Sequence, residues 1–362
     1  MLILGTVSAF RCSLIAGRYS LAGRRSPLAA RLLFAPGCSP IAIPNPLANR
    51  YPSPIAFPSP IPMRLPILAT AAIAAAGGYA FAHGRTPAVV PDEHANHADH
   101  SASGAVVLTA QQAASIPASG VTATERIAAS PRHGEWVAIK VGATDSVMAW
   151  VVYPERSQKA PVVIAIHENT GLNIWTRSVA DQLAAEGFIG IAPDLTTMGK
   201  TGSLTEETPA DVGRQLIQKV TPEFGNAALD AVAKYGMSLP AALPKYGIIG
   251  FCWGGGRSFL HATHAPGLGA SVVFYGSPPN AEQMANIKAP VLGLYGGADA
   301  RINATIPGAD SAMKRLGKSY EYHIFDGAGH GFLRGQEGSE ANAKAAQEAW
   351  PKTVAFLKAK LN

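Results

Sequence analysis

"GIIGFCWGGG", residues 247–256, sets a cysteine at the centre of a Gly-x-Cys-x-Gly turn. The run that leads into the turn, 246–251, is apolar and strand-like, and a helix is predicted to begin near Gly254. A strand, a sharp turn and a helix form the setting of a nucleophile elbow, here with sulfur in place of the usual serine oxygen. Gly250 and Gly254 are the small neighbours that a strained elbow requires. The alternative is that Cys252 is a small buried hydrophobic residue, as most free cysteines are.

The segments around this turn predict the fold. Strand-like segments lie at 135–141, 147–153, 161–167, 188–192, 246–251, 271–276, 290–296 and 320–325. The later ones are short continuous apolar runs, which are typical of strands buried on both faces of a parallel sheet. Helical patterns alternate with them at 174–187, 224–236 and 340–361. This alternation predicts one α/β domain over 130–362, with a mostly parallel, doubly wound sheet and an antiparallel hairpin of the first two strands at its edge.

Charge is distributed unevenly along the 362 residues, whose formal net charge is +6. Residues 1–82 contain seven arginines and no Asp, Glu or Lys, so the rest of the chain is close to neutral. The body of the protein therefore has no electrostatic basis for binding nucleic acid.

The first 82 residues have the composition of leader segments. Residues 1–62 contain ten prolines and no periodic apolar face, which predicts disorder, or a start codon at Met63 instead of Met1. The stretch 63–82 has one arginine, an apolar run and an Ala-Phe-Ala end, as in a secretory signal peptide. A membrane anchor and an organelle transit sequence are the alternatives, but the apolar run is short for a membrane span. We therefore expect an exported protein, periplasmic or secreted, without a membrane span in the mature chain.

Residues 83–129 are predicted to be a flexible linker. His94, His97 and His100 recur there at three-residue spacing, which is conceivable for a metal site. The surrounding Ala, Ser and Gly cannot build a core, so a solvated linker is the favoured interpretation and no metal is expected.

Cysteine usage supports a role for the elbow. Cys12 and Cys38 precede the predicted cleavage site, so the mature chain would keep Cys252 alone. A single thiol cannot form an internal disulfide, and catalysis is one reason for an exported protein to retain it.

A thiol nucleophile needs a base and a carboxylate that orients the base. In α/β-hydrolases these follow the nucleophile in the order acid, then histidine. Asp299 comes directly after the strand 290–296, and His330 lies in the loop after 320–325. Both would stand at the carboxyl edge of the sheet, where α/β proteins place their sites.

The sequence resembles the dienelactone hydrolase family of α/β-hydrolases from about Pro131 to Leu361. The matching stretches are "PVVIAIHENTGLN", "AAEGFIGIAPDL", "GIIGFCWGGG", "VVFYG", "LYGGADARI" and "GAGHGFLR". The family uses a cysteine nucleophile, and the resemblance implies the triad Cys252, Asp299 and His330.

The resemblance also implies further site residues. Glu168 would contact the resting thiol and help to activate it, and the backbone N–H groups of Trp253 and Asn169 would form the oxyanion hole. Arg334 would bind a substrate carboxylate. Arg214 is the candidate for a second substrate arginine, although the residues around it match poorly.

These inferences predict a cysteine-dependent hydrolase of ester or lactone bonds that acts through a thioacyl-enzyme. We expect a small ester or lactone, anionic or neutral, as substrate, no cofactor and a monomer. One alternative is a carboxylesterase of broad specificity. Another is a non-catalytic binding or thiol-sensing protein on the same fold; turnover of a chromogenic ester would separate it from the enzymes.

We predict that the mature protein begins near His83, because signal peptidases cleave after an Ala-x-Ala pattern and Ala80-Phe81-Ala82 has this pattern. N-terminal sequencing of the protein from its native host measures this directly. A chain that still begins at Met1 in a cytoplasmic fraction would contradict the prediction.

Overall fold

A computed structural model describes residues 109–197 and 209–362. The predicted leader (1–62), the signal peptide (63–82) and the three linker histidines lie outside the described residues, so these interpretations stay predictions. None of the helices in the described ranges is long and apolar enough to cross a membrane.

The described strands form one sheet of eight, in the order β1-β2-β4-β3-β5-β6-β7-β8. Their bounds are Gly134–Val141 (β1), Asp145–Val152 (β2), Ala160–Ile166 (β3), Ile189–Asp194 (β4), Ala242–Phe251 (β5), Ala270–Phe274 (β6), Val291–Gly296 (β7) and Tyr320–Phe325 (β8). β1 pairs with β2 and β2 with β4 in antiparallel fashion, and every other pair is parallel. The predicted α/β fold with an antiparallel edge hairpin is therefore confirmed.

Ten α-helices connect or flank these strands in the described ranges. They are Ala110–Ser115 (α1), Ala123–Ala128 (α2), Ile174–Ala185 (α3), Ala210–Ile217 (α4), Pro222–Ser238 (α5), Trp253–Ala262 (α6), Ala281–Met284 (α7), Ala300–Asn303 (α8), Ile306–Arg315 (α9) and Glu340–Leu361 (α10). The three helices expected from apolar periodicity correspond to α3, α5 and α10. The elbow also predicts α6, and the remaining helices, of four to ten residues, carry too little periodic signal to be predicted.

Two apolar layers cover the sheet, one on each face. On one face lie Leu229 and Val232 of α5, Phe259 of α6 and Met313 of α9. On the other lie Trp175 and Val179 of α3 and Trp350 and Leu357 of α10. The central strands β3 and β4 are buried along their whole length, which explains their continuous apolar sequence.

The segment 109–129 departs from the predicted linker. It contains α1 and α2, and Ile116 and Ala118 are buried against the core of the domain. The indole Nε1 of Trp175 donates a hydrogen bond to the Ala118 carbonyl at 2.9 Å. The folded domain thus begins before residue 130. Its large apolar residues, Ile116, Val121 and Ile127, are too few and too widely spaced to form a periodic pattern. The burial of Ile116 is visible only in the folded domain.

Glycine at the elbow is predicted to be indispensable for stability. A Cβ on Gly250 would lie 1.9 Å from the Gly254 carbonyl oxygen, so Gly250→Ala must displace backbone. We expect the free energy of unfolding to fall by about 1–3 kcal/mol or more, as measured by urea denaturation. Gly267→Ala is the matched control, because a Cβ there meets nothing within 4 Å. Equal stability of the two variants would contradict the prediction.

Candidate active site

Cys252 occupies the sharp turn between the end of β5 and the first residue of α6. Its backbone has φ 54° and ψ −116°, a conformation that L-residues rarely adopt. The turn is held by close backbone packing: a Cβ on Gly254 would lie 2.3 Å from the His167 carbonyl oxygen at the end of β3. The cysteine side chain is thereby held at the carboxyl edge of the sheet, with the N-terminus of α6 behind it.

His330 and Asp299 converge on this cysteine from the loops after β8 and β7. His330 Nδ1 donates a hydrogen bond to Asp299 Oδ2 at 2.5 Å, and the imidazole also hydrogen-bonds the Cys252 side chain. The other oxygen of Asp299 accepts from the backbone N–H of Ile302 at 3.3 Å, which caps α8 and fixes the carboxylate. The loops after β5, β7 and β8 thus bring the three groups into one chain of hydrogen bonds.

The electrostatics of this chain favour a charged imidazole. Burial opposes the imidazolium, but the hydrogen bonds and negative charges of Asp299 and Cys252 raise the pKa of His330 to about 9. Burial would raise the pKa of Asp299, yet its hydrogen bond to His330 holds that pKa below its ordinary value. Asp299 and His330 thus each stabilise the charged form of the other.

Glu168 lies immediately after β3 and is buried. Its Oε2 accepts a hydrogen bond from Arg334 Nε at 2.7 Å, and this carboxylate is the main reason that the pKa of Arg334 is raised. The resemblance implied that Glu168 contacts the thiol and that Arg334 binds substrate. In the structure these two predicted residues are joined to each other.

The loop after β3 is oriented by a histidine that the sequence analysis did not single out. His167 Nε2 accepts from the backbone N–H of Leu195 at 3.1 Å, and Nδ1 therefore donates to the Glu168 carbonyl at 2.8 Å. Burial lowers the pKa of His167, which keeps the ring neutral as this pairing requires. The ring also stacks on Trp253 with centroids 5.6 Å apart. His167 thus links Asn169 of this loop to the start of α6, the two predicted sources of oxyanion-hole N–H groups.

A family comparison agrees with this arrangement. The model of the "Dienelactone hydrolase family" matches residues 147–361. The chain belongs to the dienelactone hydrolase family. The resemblance seen in the sequence is thereby confirmed.

Individual relatives support the same assignment. A protein of Saccharolobus solfataricus named "Putative carboxymethylenebutenolidase" is 32% identical over an alignment of 244 residues. The alignment covers 59% of this chain and 93% of that protein. A protein of the same name from Methylorubrum extorquens is 31% identical, and the alignment covers 59% of this chain and 77% of that protein. The crystal structure of a "Putative Dienelactone Hydrolase" from Klebsiella pneumoniae has 26% identity and a TM-score of 0.56, and covers 63% of this chain and 98% of its own. A dienelactone hydrolase from Anabaena variabilis, at 22% identity and a TM-score of 0.50, shows the fold alone.

This dienelactone hydrolase family member has an N-terminal strap, residues 116–120, that contacts the site from outside the family match. The backbone N–H of Gly120 donates to the Arg334 carbonyl at 2.8 Å. The side-chain amide of Gln336 donates to the Pro117 carbonyl at 2.9 Å. The strap therefore fixes the loop that presents Arg334 to Glu168. No sequence motif predicts this contact, because it joins segments more than two hundred residues apart.

Tyr275 is a site residue that sequence reasoning missed. It follows β6 with φ 41°, is fully buried, and has its ring centroid 5.0 Å from that of His330. Its hydroxyl makes no hydrogen bond of normal geometry within the described chain. Burial raises the pKa of Tyr275 well above its usual value, and the nearby charges of Glu168 and Cys252 add to this effect. The available signal was a tyrosine at the end of a parallel strand, within the matching stretch "VVFYG".

A cavity of about 480 Å³ opens at Cys252 in this family member. Cys252, Trp253 and Tyr275 line one end. Arg214 does not line it: α4 packs against the loop after β3, where a Cβ on Gly213 would lie 2.0 Å from the Thr170 carbonyl oxygen. Within 109–197 and 209–362, no group of three or more His, Cys, Asp or Glu side chains could hold a metal ion.

The raised pKa of His330 predicts a specific pH dependence. Histidine in an unfolded chain has a pKa of about 6.5. The charged pair therefore stabilises the folded protein fully below that pH, and this stabilisation is lost as the pH rises through about 9. Asp299→Asn should lower the His330 pKa, measured by NMR titration. The difference in unfolding free energy between wild type and variant should shrink from pH about 6 to about 10.

The control for this titration is Asp230→Asn. Asp230 pairs with the exposed His264 at 2.8 Å, away from the site. This variant should leave the His330 titration unchanged. An unaltered His330 pKa in Asp299→Asn would show that the carboxylate does not hold the imidazolium.

Proposed function

We propose that this chain hydrolyses carboxylic ester or lactone bonds with Cys252 as the nucleophile. The observation that carries the proposal is the hydrogen-bonded series Asp299, His330 and Cys252 at the mouth of a cavity. A protein that only bound ligand would have no need of an imidazole charged by two partners. Membership of the dienelactone hydrolase family supports the same reaction class.

Acylation begins with attack of the Cys252 thiolate on the substrate carbonyl carbon, which forms a carbon–sulfur bond and a tetrahedral oxyanion. The backbone N–H groups of Trp253 and Asn169 stabilise this oxyanion; the first N–H groups of a helix have no acceptor within it. Collapse breaks the carbon–oxygen bond, and the His330 imidazolium gives its proton to the departing alkoxide. The product is an alcohol and a thioacyl-enzyme.

Deacylation uses the same groups, with His330 acting as a base instead of an acid. Neutral His330 removes a proton from water, and the hydroxide adds to the thioester carbonyl carbon. Collapse releases the carboxylic acid and restores the thiolate beside the imidazolium. Asp299 keeps the ring in the tautomer that this exchange requires, because its hydrogen bond occupies Nδ1 and leaves Nε2 for proton transfer.

Glu168 is proposed to accept the thiol proton whenever the cysteine is protonated. In the ligand-free structure Arg334 engages its carboxylate at 2.7 Å. A substrate anion that displaced Glu168 from Arg334 would free the carboxylate to act as a base.

The second candidate function is a carboxylesterase of broad specificity. The cavity is favourable to neutral acyl chains because Leu260, Pro278, Pro279 and Ile302 contribute apolar surface. A panel of lactones and simple esters separates the two enzymes by the ratio of their kcat/KM values. We also propose, from the signal-peptide pattern at 63–82, that the protein acts outside the cytoplasm, as a monomer; cell fractionation and size-exclusion chromatography test both.

Replacement of the nucleophile should abolish turnover. We expect Cys252→Ala to lose all measurable hydrolysis of a chromogenic ester, and Cys252→Ser to be poor because its surroundings suit a thiolate. Iodoacetamide should inactivate the wild type, with the modified peptide located at Cys252 by mass spectrometry. Ser238→Ala, at an exposed position on α5, is the control and should retain full activity. Undiminished turnover by Cys252→Ala would refute the mechanism.

Removal of the Glu168 charge should slow acylation. Glu168→Gln keeps the shape of the side chain but not its basicity, and we expect kcat/KM to fall roughly 100-fold, the lower range for loss of a general base. Glu348→Gln, an exposed glutamate on α10, is the matched control. If both variants hydrolyse the ester as fast as wild type, Glu168 takes no part in activation.

A further inference from the structure

The segment between β8 and α10 carries two predicted site residues, His330 and Arg334. Both lie within residues 329–335, which we call the His–Arg loop. Three of its seven residues are glycines, and one of them, Gly331, has φ 76°. Glycine has more conformational freedom to lose on folding than any other residue. A loop of this composition therefore needs contacts from outside it to keep a single shape.

Asn342, in the first turn of α10, contacts the backbone at both ends of the His–Arg loop. Its Oδ1 accepts a hydrogen bond from the Gly329 N–H at 2.8 Å, and its Nδ2 donates to the Gly335 carbonyl at 2.9 Å. Gly329 directly precedes His330, and Gly335 directly follows Arg334. One side chain thus spans the whole segment that carries both residues.

The start of α10 directs this side chain toward the loop. Ser339 caps the helix, and its hydroxyl accepts the Asn342 N–H at 3.1 Å. Helical side chains tilt toward the N-terminus of their helix, so an asparagine here reaches back over the segment that precedes α10. An amide suits both contacts because it offers an oxygen acceptor and an NH₂ donor on the same carbon.

The two ends of the loop differ in the other support that they receive. At the Arg334 end, the strap 116–120 adds a hydrogen bond from the Gly120 N–H to the Arg334 carbonyl at 2.8 Å. At the other end, the N–H that directly precedes His330 in the chain is bonded to Asn342. Loss of the Asn342 side chain should therefore displace His330 more than Arg334.

The imidazole of His330 tolerates little displacement. Its Nδ1 lies 2.5 Å from Asp299 Oδ2, and the ring also hydrogen-bonds the Cys252 side chain. Burial opposes the charged ring, yet these two groups raise the pKa of His330 to about 9. The ring of Tyr275 packs beside it at 5.0 Å between centroids. Charge interactions weaken with distance, so the pKa of His330 reports on its position.

We propose that Asn342 is a positioning residue, which holds His330 against Asp299 and Cys252 by fixing both ends of the His–Arg loop. It acts through the backbone of Gly329 and Gly335, without contact to the reacting atoms. The effect on turnover rests on the proposed function. The position of the imidazole does not, because it can be measured without a substrate.

Asn342→Ala removes both contacts and is the first test, made on the full-length protein. We expect the pKa of His330, measured by NMR titration of the imidazole resonances, to fall by about one unit as its pairing loosens. For para-nitrophenyl acetate, kcat should fall about tenfold and KM should change little, since small misplacements of a catalytic group slow the reaction steeply. An unchanged His330 pKa overturns the proposal. If Asn342→Ala does not fold, Asn342→Ser, which is too short for both contacts, takes its place.

Asn342→Asp separates the two contacts. The carboxylate keeps an oxygen for the Gly329 N–H but cannot donate to the Gly335 carbonyl. Its added negative charge also favours an imidazolium. We therefore expect the pKa of His330 to stay at the wild-type value or above it. A fall as large as that in Asn342→Ala overturns the proposal, because the bond to Gly329 would then not be what holds the ring.

Thr221→Ala is the control for a general loss of stability. The Thr221 hydroxyl caps α5 by accepting the Phe224 N–H at 3.2 Å, also a bond from a side chain to the backbone at a helix start. This variant should lower the Tm but leave the pKa of His330 unchanged. A fall in that pKa equal to the fall in Asn342→Ala overturns the proposal, since the pKa would then follow stability and not position.

Failure of the proposed function gives a different result. A wild-type protein that hydrolyses no ester, and whose His330 pKa still falls in Asn342→Ala, refutes the hydrolase and supports the positioning role. A wild type that hydrolyses the ester, with the same His330 pKa and the same kcat in Asn342→Ala, overturns the positioning role alone.

Discussion

The close approach of α6 to the end of β3 is the constraint on which the site depends. Gly254 lies where any side chain would collide with the His167 carbonyl, and Gly250 lies under the Gly254 carbonyl. This contact forces the chain through the strained turn at Cys252 and brings two loops together at the head of one helix. Cys252, the backbone N–H groups of Trp253 and Asn169, and Glu168 all take their positions from it.

Around the turn, the site is organised by matching charges in pairs. Asp299 stabilises charged His330, and Arg334 stabilises buried Glu168. The strap at 116–120 belongs to this arrangement because it fixes the loop that carries Arg334. Arg257, in contrast, is buried with the backbone carbonyls of Thr221 and Pro222 as its hydrogen-bond partners.

Much of the architecture was predictable because local signals and global constraints coincide. All eight predicted strands are present, and Cys252, Asp299 and His330 follow the ends of β5, β7 and β8. Parallel strands put their carboxyl ends on one edge, so a residue after a strand can be assigned to the site without knowledge of distances. The boundary at 129 was wrong because the apolar residues of 109–129 are sparse and are buried only against α3.

By itself, the sequence determined the fold class, the family and the position of the elbow, since these follow from periodicity, glycine spacing and short motifs. Only the tertiary structure determined which side chains of the site pair with each other. Glu168 and Arg334 are far apart in sequence yet lie 2.7 Å apart, and the buried ring of Tyr275 lies with its centroid 5.0 Å from that of His330. Side-chain pairing depends on distances between segments that are remote along the chain, and no local pattern encodes those distances.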